Sequence, residues 1–316
     1  MYYKKLIALF LVSLLVAACK HSSHSADLQS ASTSSTDTQK IFRMPEIPVM
    51  LATPVQRTEY LAHHFWDSIN PADTTILHHP EELEQAWADY CDLLHHIPLQ
   101  LSQEVIKDFF LSLEKEMKVY TSFKSLAEKY LDDPNSPLRS EEIYIPVLEA
   151  MTHSSFLGEM DKLRPRARLQ LAMKNRVGIR AADFTYTLAT GKQHTLGNIR
   201  TDYTLIFFNN PGCEACAATL GGLKSSPVIG RLLEEGRLTI LAMYTDEELE
   251  EWHRHLPDFP AEWINAYDRA QVIRTKQLYD LRAIPTLHLL DKDKTVLLKD
   301  APLDRVVAYL ESGYIN

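Results

Sequence analysis

Glycine is scarce in this chain, with ten among 316 residues and none before Gly158. No Gly-rich loop able to cradle phosphates is present, so no nucleotide cofactor is expected. Long apolar runs are also missing. The one candidate, Leu6 to Ala18, is too short to span a bilayer comfortably. Basic charge is in deficit, with 33 Lys and Arg against 42 Asp and Glu, a net −9. Such a chain offers phosphates no neutralising field, which excludes nucleic acid as an expected partner. Cysteine is limited to positions 19, 91, 213 and 216. No repeat of fixed period is visible.

What remains is ordinary globular material, 45% apolar and 24% charged, of a length that suggests about two domains. Lys4 and Lys5 precede the Leu6–Ala18 run, which ends Val16-Ala17-Ala18-Cys19. A basic start, a short apolar run and a small-residue ending read as a targeting segment, residues 1–19. The ending resembles the bacterial lipoprotein box. That resemblance implies cleavage before Cys19 and its acylation, a membrane anchor of two or more acyl chains. Lys20 after the cysteine implies, by the same resemblance, the outer membrane of a Gram-negative cell envelope, facing the periplasm. Residues 20–40 are rich in Ser and Thr, cannot bury enough apolar surface to fold, and read as a disordered tether.

From 41 to 176 the pattern turns helical after the proline-marked stretch at Pro45, Pro48 and Pro54. Leu83, Trp87, Cys91 and Leu94 form one apolar stripe over Glu81–His95, and Val105, Phe109, Leu113 and Met117 form another. Further helices are expected at Thr58–Trp66, Thr121–Leu131, Glu141–Met151 and Ser155–Met173. The His-His pairs at 63/64, 78/79 and 95/96 are no metal site, because adjacent helical residues point about 100° apart. Cys91, on a stripe, reads as a small core hydrophobe.

The chemistry concentrates at Phe207-Phe208-Asn209-Asn210-Pro211-Gly212-Cys213-Glu214-Ala215-Cys216. Tyr203–Phe208 reads as a buried strand, Asn209–Gly212 as its break, and the residues from Cys213 as a helix. Cys213 then lies at the helix start, where unpaired N–H groups favour a thiolate, and Cys216 one turn on shares its face. Half a structural zinc site is the competing reading. It needs two further ligands, which His253 and His255 could supply in principle, but strand-turn-helix placement is what redox chemistry requires.

This loop resembles the active-site loop of thioredoxin-fold proteins, and Ala283-Ile284-Pro285-Thr286-Leu287-His288-Leu289-Leu290 resembles their second signature, a cis-proline facing the dithiol. The two motifs, in order, span a domain at about 178–316, preceded by the all-helical 41–176. That helical part resembles a domain of unknown function found beside thioredoxin-like modules in envelope lipoproteins. The fold class implied is α/β, a central mixed sheet with helices on it, plus a helical N-terminal domain. Expected elements are a hairpin over Ala181–Thr195, strands Leu238–Tyr244, Thr286–Leu290 and Thr295–Lys299, and helices Val228–Glu235, Asp246–Leu256, Ala270–Leu281 and Pro302–Ser312.

The resemblance implies a thiol-disulfide oxidoreductase acting on protein disulfides. Cys213 would attack, Cys216 resolve, and Ile284, Pro285, Pro211 and Gly212 bind the substrate, the first two through its backbone. An upstream dithiol protein would return the electrons. Two departures stand out: no Trp precedes the dithiol, and Phe207 replaces the buried acid of thioredoxin, leaving Glu214 as the candidate acceptor of the Cys216 proton. A carboxylate there also opposes the Cys213 thiolate, and with Ile284 before the proline points to a reductant. A peroxiredoxin is disfavoured, since positions 206 and 210 are Ile and Asn where its motif needs Pro and Thr. A non-catalytic binding or assembly lipoprotein, recruiting a partner through the helical domain, is the main alternative, and a metal chaperone the next.

Overall fold

The computed structural model describes residues 41–313. The expected signal peptide 1–19, the lipid-bearing Cys19 and the tether 20–40 lie outside the described residues.

The first helix, α1 (Pro54–His64), starts where its sequence allows. The Thr53 hydroxyl accepts from the Gln56 N–H and the Gln56 side chain from the Thr53 N–H, both at 3.2 Å, while Pro54 takes a position whose N–H would go unused. Then come α2 (Pro80–His95), α3 (Leu99–Ser112), α4 (Met117–Ala127), α5 (Glu141–His153) and α6 (Leu163–Ala172). The stripe Leu83, Trp87, Cys91 and Leu94 is buried, as are Val105, Phe109 and Leu113. Met117 instead begins α4 and is exposed, because α3 has already ended at Ser112. The core of these helices is aromatic. Trp66 stacks on Phe109 at 4.8 Å between centroids, and Phe123 sets its edge against both at 5.2 and 4.9 Å.

Two sequence expectations fail here in instructive ways. Ser155–Met173 is helical only from Leu163: the Ser154 hydroxyl accepts from the Phe156 N–H at 3.1 Å, a local turn that competes with helix. At the other end of the bundle α4 runs into a π turn, Glu128–Asp132, closed by the Asp133 N–H on the Glu128 carbonyl at 3.0 Å.

The sheet follows: β1 (Thr185–Leu188), β2 (Gln193–Thr195), β3 (Tyr203–Asn209), α7 (Glu214–Ser225), α8 (Pro227–Glu234), β4 (Leu238–Tyr244), α9 (Leu249–His255), β5 (Ile264–Tyr267), α10 (Val272–Thr275), β6 (Thr286–Leu290), β7 (Val296–Leu298) and α11 (Leu303–Ser312). Among the described residues its order is β2-β1-β5-β4-β3-β6-β7. β3, β4 and β5 run parallel, and β6 runs antiparallel to β3. Leu205, Phe207, Leu287 and Leu289 face the core that includes Leu223 of α7, Ile229 of α8 and Val306 of α11. Ile206, Phe208 and Leu290 face a second core, on the other side. Strand β5 pairs with β4 and β1, a strand that went unread in Ile264–Tyr267.

The expected helix Ala270–Leu281 shrinks to Val272–Thr275. Gln271 and Gln277 adopt left-handed backbones, φ 53° and 48°, and the chain beyond runs irregularly to Pro285. Its carbonyls are taken by the turn that follows α6 instead. Lys174 Nζ donates to the carbonyls of Lys276 and Gln277 at 3.1 and 2.8 Å, and Asn175 Nδ2 to that of Leu278 at 2.8 Å.

Below these contacts lies a cluster of charges around two buried carboxylates, Asp132 and Asp280. Arg168 Nη2 donates to Asp132 at 2.5 Å, and Arg282 forks onto the same carboxylate at 3.0 and 3.1 Å. Arg282 also bonds Asp280 through Nε and Nη2 at 3.0 to 3.1 Å, Arg168 reaches Asp280 at 3.4 Å, and Arg139 pairs with Asp300. Burial pulls both Asp132 and Asp280 upward, but the guanidinium hydrogen bonds and charges outweigh it and hold both below the usual carboxylate range. A depressed folded-state pKa stabilises the fold fully above the unfolded value, about 3.9, and that stabilisation is lost as pH falls through the folded one. Acid titration of the wild type against Asp132→Asn should therefore show a stability gap at neutral pH that closes as pH drops below about 4, with denaturant midpoints as the measure.

Candidate active site

Strand β3 is buried along nearly its whole length and leaves the sheet between β4 and β6. Beyond Asn209 the chain must turn sharply. Gly212, at φ 78°, takes the left-handed conformation that costs a side chain about 1 kcal/mol or more, and the Cys213 N–H closes the turn on the Asn210 carbonyl at 3.3 Å. Asn210 is itself tied down, its Nδ2 donating at 2.5 Å to Asp246, which pairs with Arg274.

Cys213 is the N-cap of α7, its sulfur accepting the Cys216 N–H at 3.2 Å. That sulfur satisfies one of the donors a helix start leaves free. Cys213 is half-buried and Cys216 buried one turn behind it; both thiols are free. Burial, with the hydrogen bond to Cys213 adding to it, pushes the Cys216 thiol up to about 12. Because β6 is antiparallel to β3 with Thr286 opposite Phe208, the residues just before β6 return to the edge where β3 ends. The Ile284–Pro285 peptide is cis, and the Cys213 thiol donates to the Ile284 carbonyl at 3.7 Å.

A cavity of about 270 Å³ opens beside the sulfurs, walled by Phe207, Pro211, Ala217, Leu220 and Phe259 and rimmed by His255 and Asp258. His255 is held by Asp258 at 2.8 Å and Glu251 at 3.0 Å, and the Asp258 bond foremost raises its pKa.

A family model described as a domain of unknown function, DUF5106, matches residues 18–175, half of the chain. A crystal structure of a thioredoxin-like protein from Bacteroides caccae is 53% identical, with a TM-score of 0.86, covering 87% of this chain and 99% of that one. The chain belongs to this thioredoxin-like family. A C-terminal domain of an uncharacterized protein from Bacteroides fragilis is 56% identical over 43% of this chain and 98% of its own, at a TM-score of 0.43. The thioredoxin domain of a thiol-disulfide oxidoreductase from Bacteroides vulgatus is 20% identical over 45% and 99%, at 0.40. No curated protein matches the chain significantly.

In this thioredoxin-like protein the structure brings together Cys213, Cys216, Pro211, Gly212, Ile284 and Pro285. Glu214 lines the same cavity but is exposed and makes no hydrogen bond to either sulfur. Of the histidines considered as zinc ligands, His255 reaches the cavity rim, while His253 bonds its own helix at the Leu249 carbonyl, 2.7 Å. Nothing in its local pattern marks Phe259; for Asp258 the available signal is its place three residues after His255. Brief iodoacetamide treatment of the reduced protein near pH 8 should modify Cys213 and spare Cys216 and Cys91, both of whose thiols burial pushes upward. Peptide mass spectrometry reads the selectivity.

Proposed function

We propose that this thioredoxin-like protein is a thiol-disulfide oxidoreductase that reduces protein disulfides in the bacterial cell envelope. The observation that carries the reading is the arrangement of a half-buried thiol capping a helix, a buried thiol one turn behind, and the cis-proline loop carbonyl 3.7 Å from the outer sulfur.

The Cys213 thiolate attacks one sulfur of a substrate disulfide, forming a mixed disulfide and expelling the other sulfur as a thiolate. That thiolate accepts the Cys216 proton, the role expected of Glu214, whose carboxylate is hydrogen-bonded to neither sulfur. Cys216 then attacks the Cys213 sulfur, and the second substrate thiolate leaves. Two electrons pass to the substrate, and Cys213 and Cys216 end as a disulfide that an upstream dithiol protein must reduce. The apolar wall beside the sulfurs suits an apolar side chain next to the attacked cystine. Ile284 before Pro285 and Glu214 in the first turn of α7 support the reducing direction, and a reduction potential below about −180 mV is the expected value.

Insulin reduction should require both cysteines, which separates this enzyme from a non-catalytic binding lipoprotein. Cys216→Ser should accumulate covalent adducts in an envelope extract that dithiothreitol releases; recovery of none counts against the activity. The reading extends to an anchor at Cys19 holding the protein on the outer membrane, facing the periplasm. Cys19→Ser should abolish palmitate labelling and move the protein from the membrane to the soluble fraction.

A further inference from the structure

The segment leading into the cis-proline owes its shape to the other half of the molecule. Within it Tyr279 is anchored on the sheet side, its hydroxyl donating to the Ala182 carbonyl at 2.8 Å, while the carbonyls of Lys276, Gln277 and Leu278 and the side chains of Asp280 and Arg282 are held by Lys174, Asn175, Arg168 and Asp132. The last of these holds is the stiffest. Asp132, at the end of the π turn, takes Arg282 in a two-pronged fork, and Arg282 returns three bonds to Asp280. Only Ala283 then separates Arg282 from Ile284, whose carbonyl meets the Cys213 thiol. On the far side Thr286 is paired with Phe208 of β3, and its hydroxyl donates back to the Ala283 carbonyl at 2.6 Å. The three residues between the fork and the sheet, Ala283, Ile284 and Pro285, are thus fixed at both ends.

We infer that Asp132 and Arg282 are positioning residues for the dithiol: the N-terminal helical region holds the Ile284–Pro285 platform at the distance from Cys213 that substrate exchange requires. The inference rests on the oxidoreductase reading for its consequence in turnover, but the geometry it describes can be measured without a substrate. Releasing the fork lets the platform drift from Cys213. The thiol then loses its acceptor and its cover, so alkylation quickens, while the backbone against which a substrate would be laid is misplaced, so turnover slows.

The test compares Asp132→Asn, which is isosteric, and Arg282→Lys, which keeps the charge and loses the fork. Both should raise the iodoacetamide rate of Cys213 about threefold or more and lower kcat/KM for insulin reduction about tenfold, since small misplacements of a reacting group are costly. Cys91 and Cys216 should stay protected in both, which distinguishes a displaced platform from a loosened fold. The double variant should fall short of the sum of the two single ones, because both remove the Asp132–Arg282 fork, while each also releases a partner of its own, Arg168 or Asp280. A charge effect in place of positioning predicts no change in Arg282→Lys, and that outcome overturns the inference. So do Cys213 rates within about twofold of wild type in both variants with unaltered near-UV dichroism. If Asp132→Asn exposes Cys91, Arg282→Lys decides alone. A wild type that fails to reduce insulin overturns the oxidoreductase reading, and the alkylation arm then decides the positioning.

Discussion

Three carboxylates and three guanidiniums, Asp132, Asp280 and Asp300 with Arg139, Arg168 and Arg282, are set between the N-terminal helices and the sheet. Taking a charge out of water costs several kcal/mol, and only close partners and good geometry offset it. Asp132 and Asp280 keep 7% and 5% of their side-chain surface exposed, so each depends on its arginines. The cluster is balanced in number, and its members come from both halves: Asp132, Arg139 and Arg168 from the first, Asp280, Arg282 and Asp300 from the second. A shift of one half would strand a buried charge. Such a cluster specifies one arrangement of the two halves more than it adds stability, because apolar residues of the same volume could serve stability as well.

The sulfurs and the proline meet for a reason of topology. In the parallel run β5-β4-β3 the loop after β3 leaves at the carboxyl edge, and it is there that Gly212 and Cys213 turn into α7. Had β6 joined in parallel, its first residues would lie at the opposite edge, a strand length away. Antiparallel pairing with Phe208 opposite Thr286 brings them back. The chemistry proposed for Cys213 therefore depends on the direction of a strand that contributes no reactive group.

The parts of the fold governed by local pattern were legible. Strands Leu238–Tyr244 and Thr286–Leu290 lie where expected, the helix expected at Val228–Glu235 is found at Pro227–Glu234, and the dithiol loop and cis-proline motifs carried their geometry with them. What failed was governed by distant partners. Ala270–Leu281 has helical composition, yet Lys174 and Asn175, about a hundred residues away, take the carbonyls a helix would have used. The site split the same way. Cys213, Cys216 and Pro285 announce themselves by type and spacing. Phe259 and His255 enter only because α9 and the turn after it fold over α7, and Asp132 only because a π turn swings it toward the sheet. Glu214 is the candidate by its place between the cysteines in sequence; a helix start exposes that position, and its carboxylate is hydrogen-bonded to neither sulfur.

A clamp is only as firm as what it is fastened to. Asp132 ends a π turn that continues α4, and α4 is seated by Tyr120 and Phe123, both fully buried, with Phe123 set edge-on against Trp66 and Phe109. Aromatic rings packed edge to face resist sliding, since each displacement loses dispersion contacts on several neighbours together. Arg168 is presented by α6, which packs on α5, itself buried along the face from Ile143 to Met151. Asp132 and Arg168 thus stand on elements with little freedom, while the segment they hold has no regular structure of its own. Order passes in one direction, from an aromatic core in the N-terminal helices to the loop that faces the dithiol.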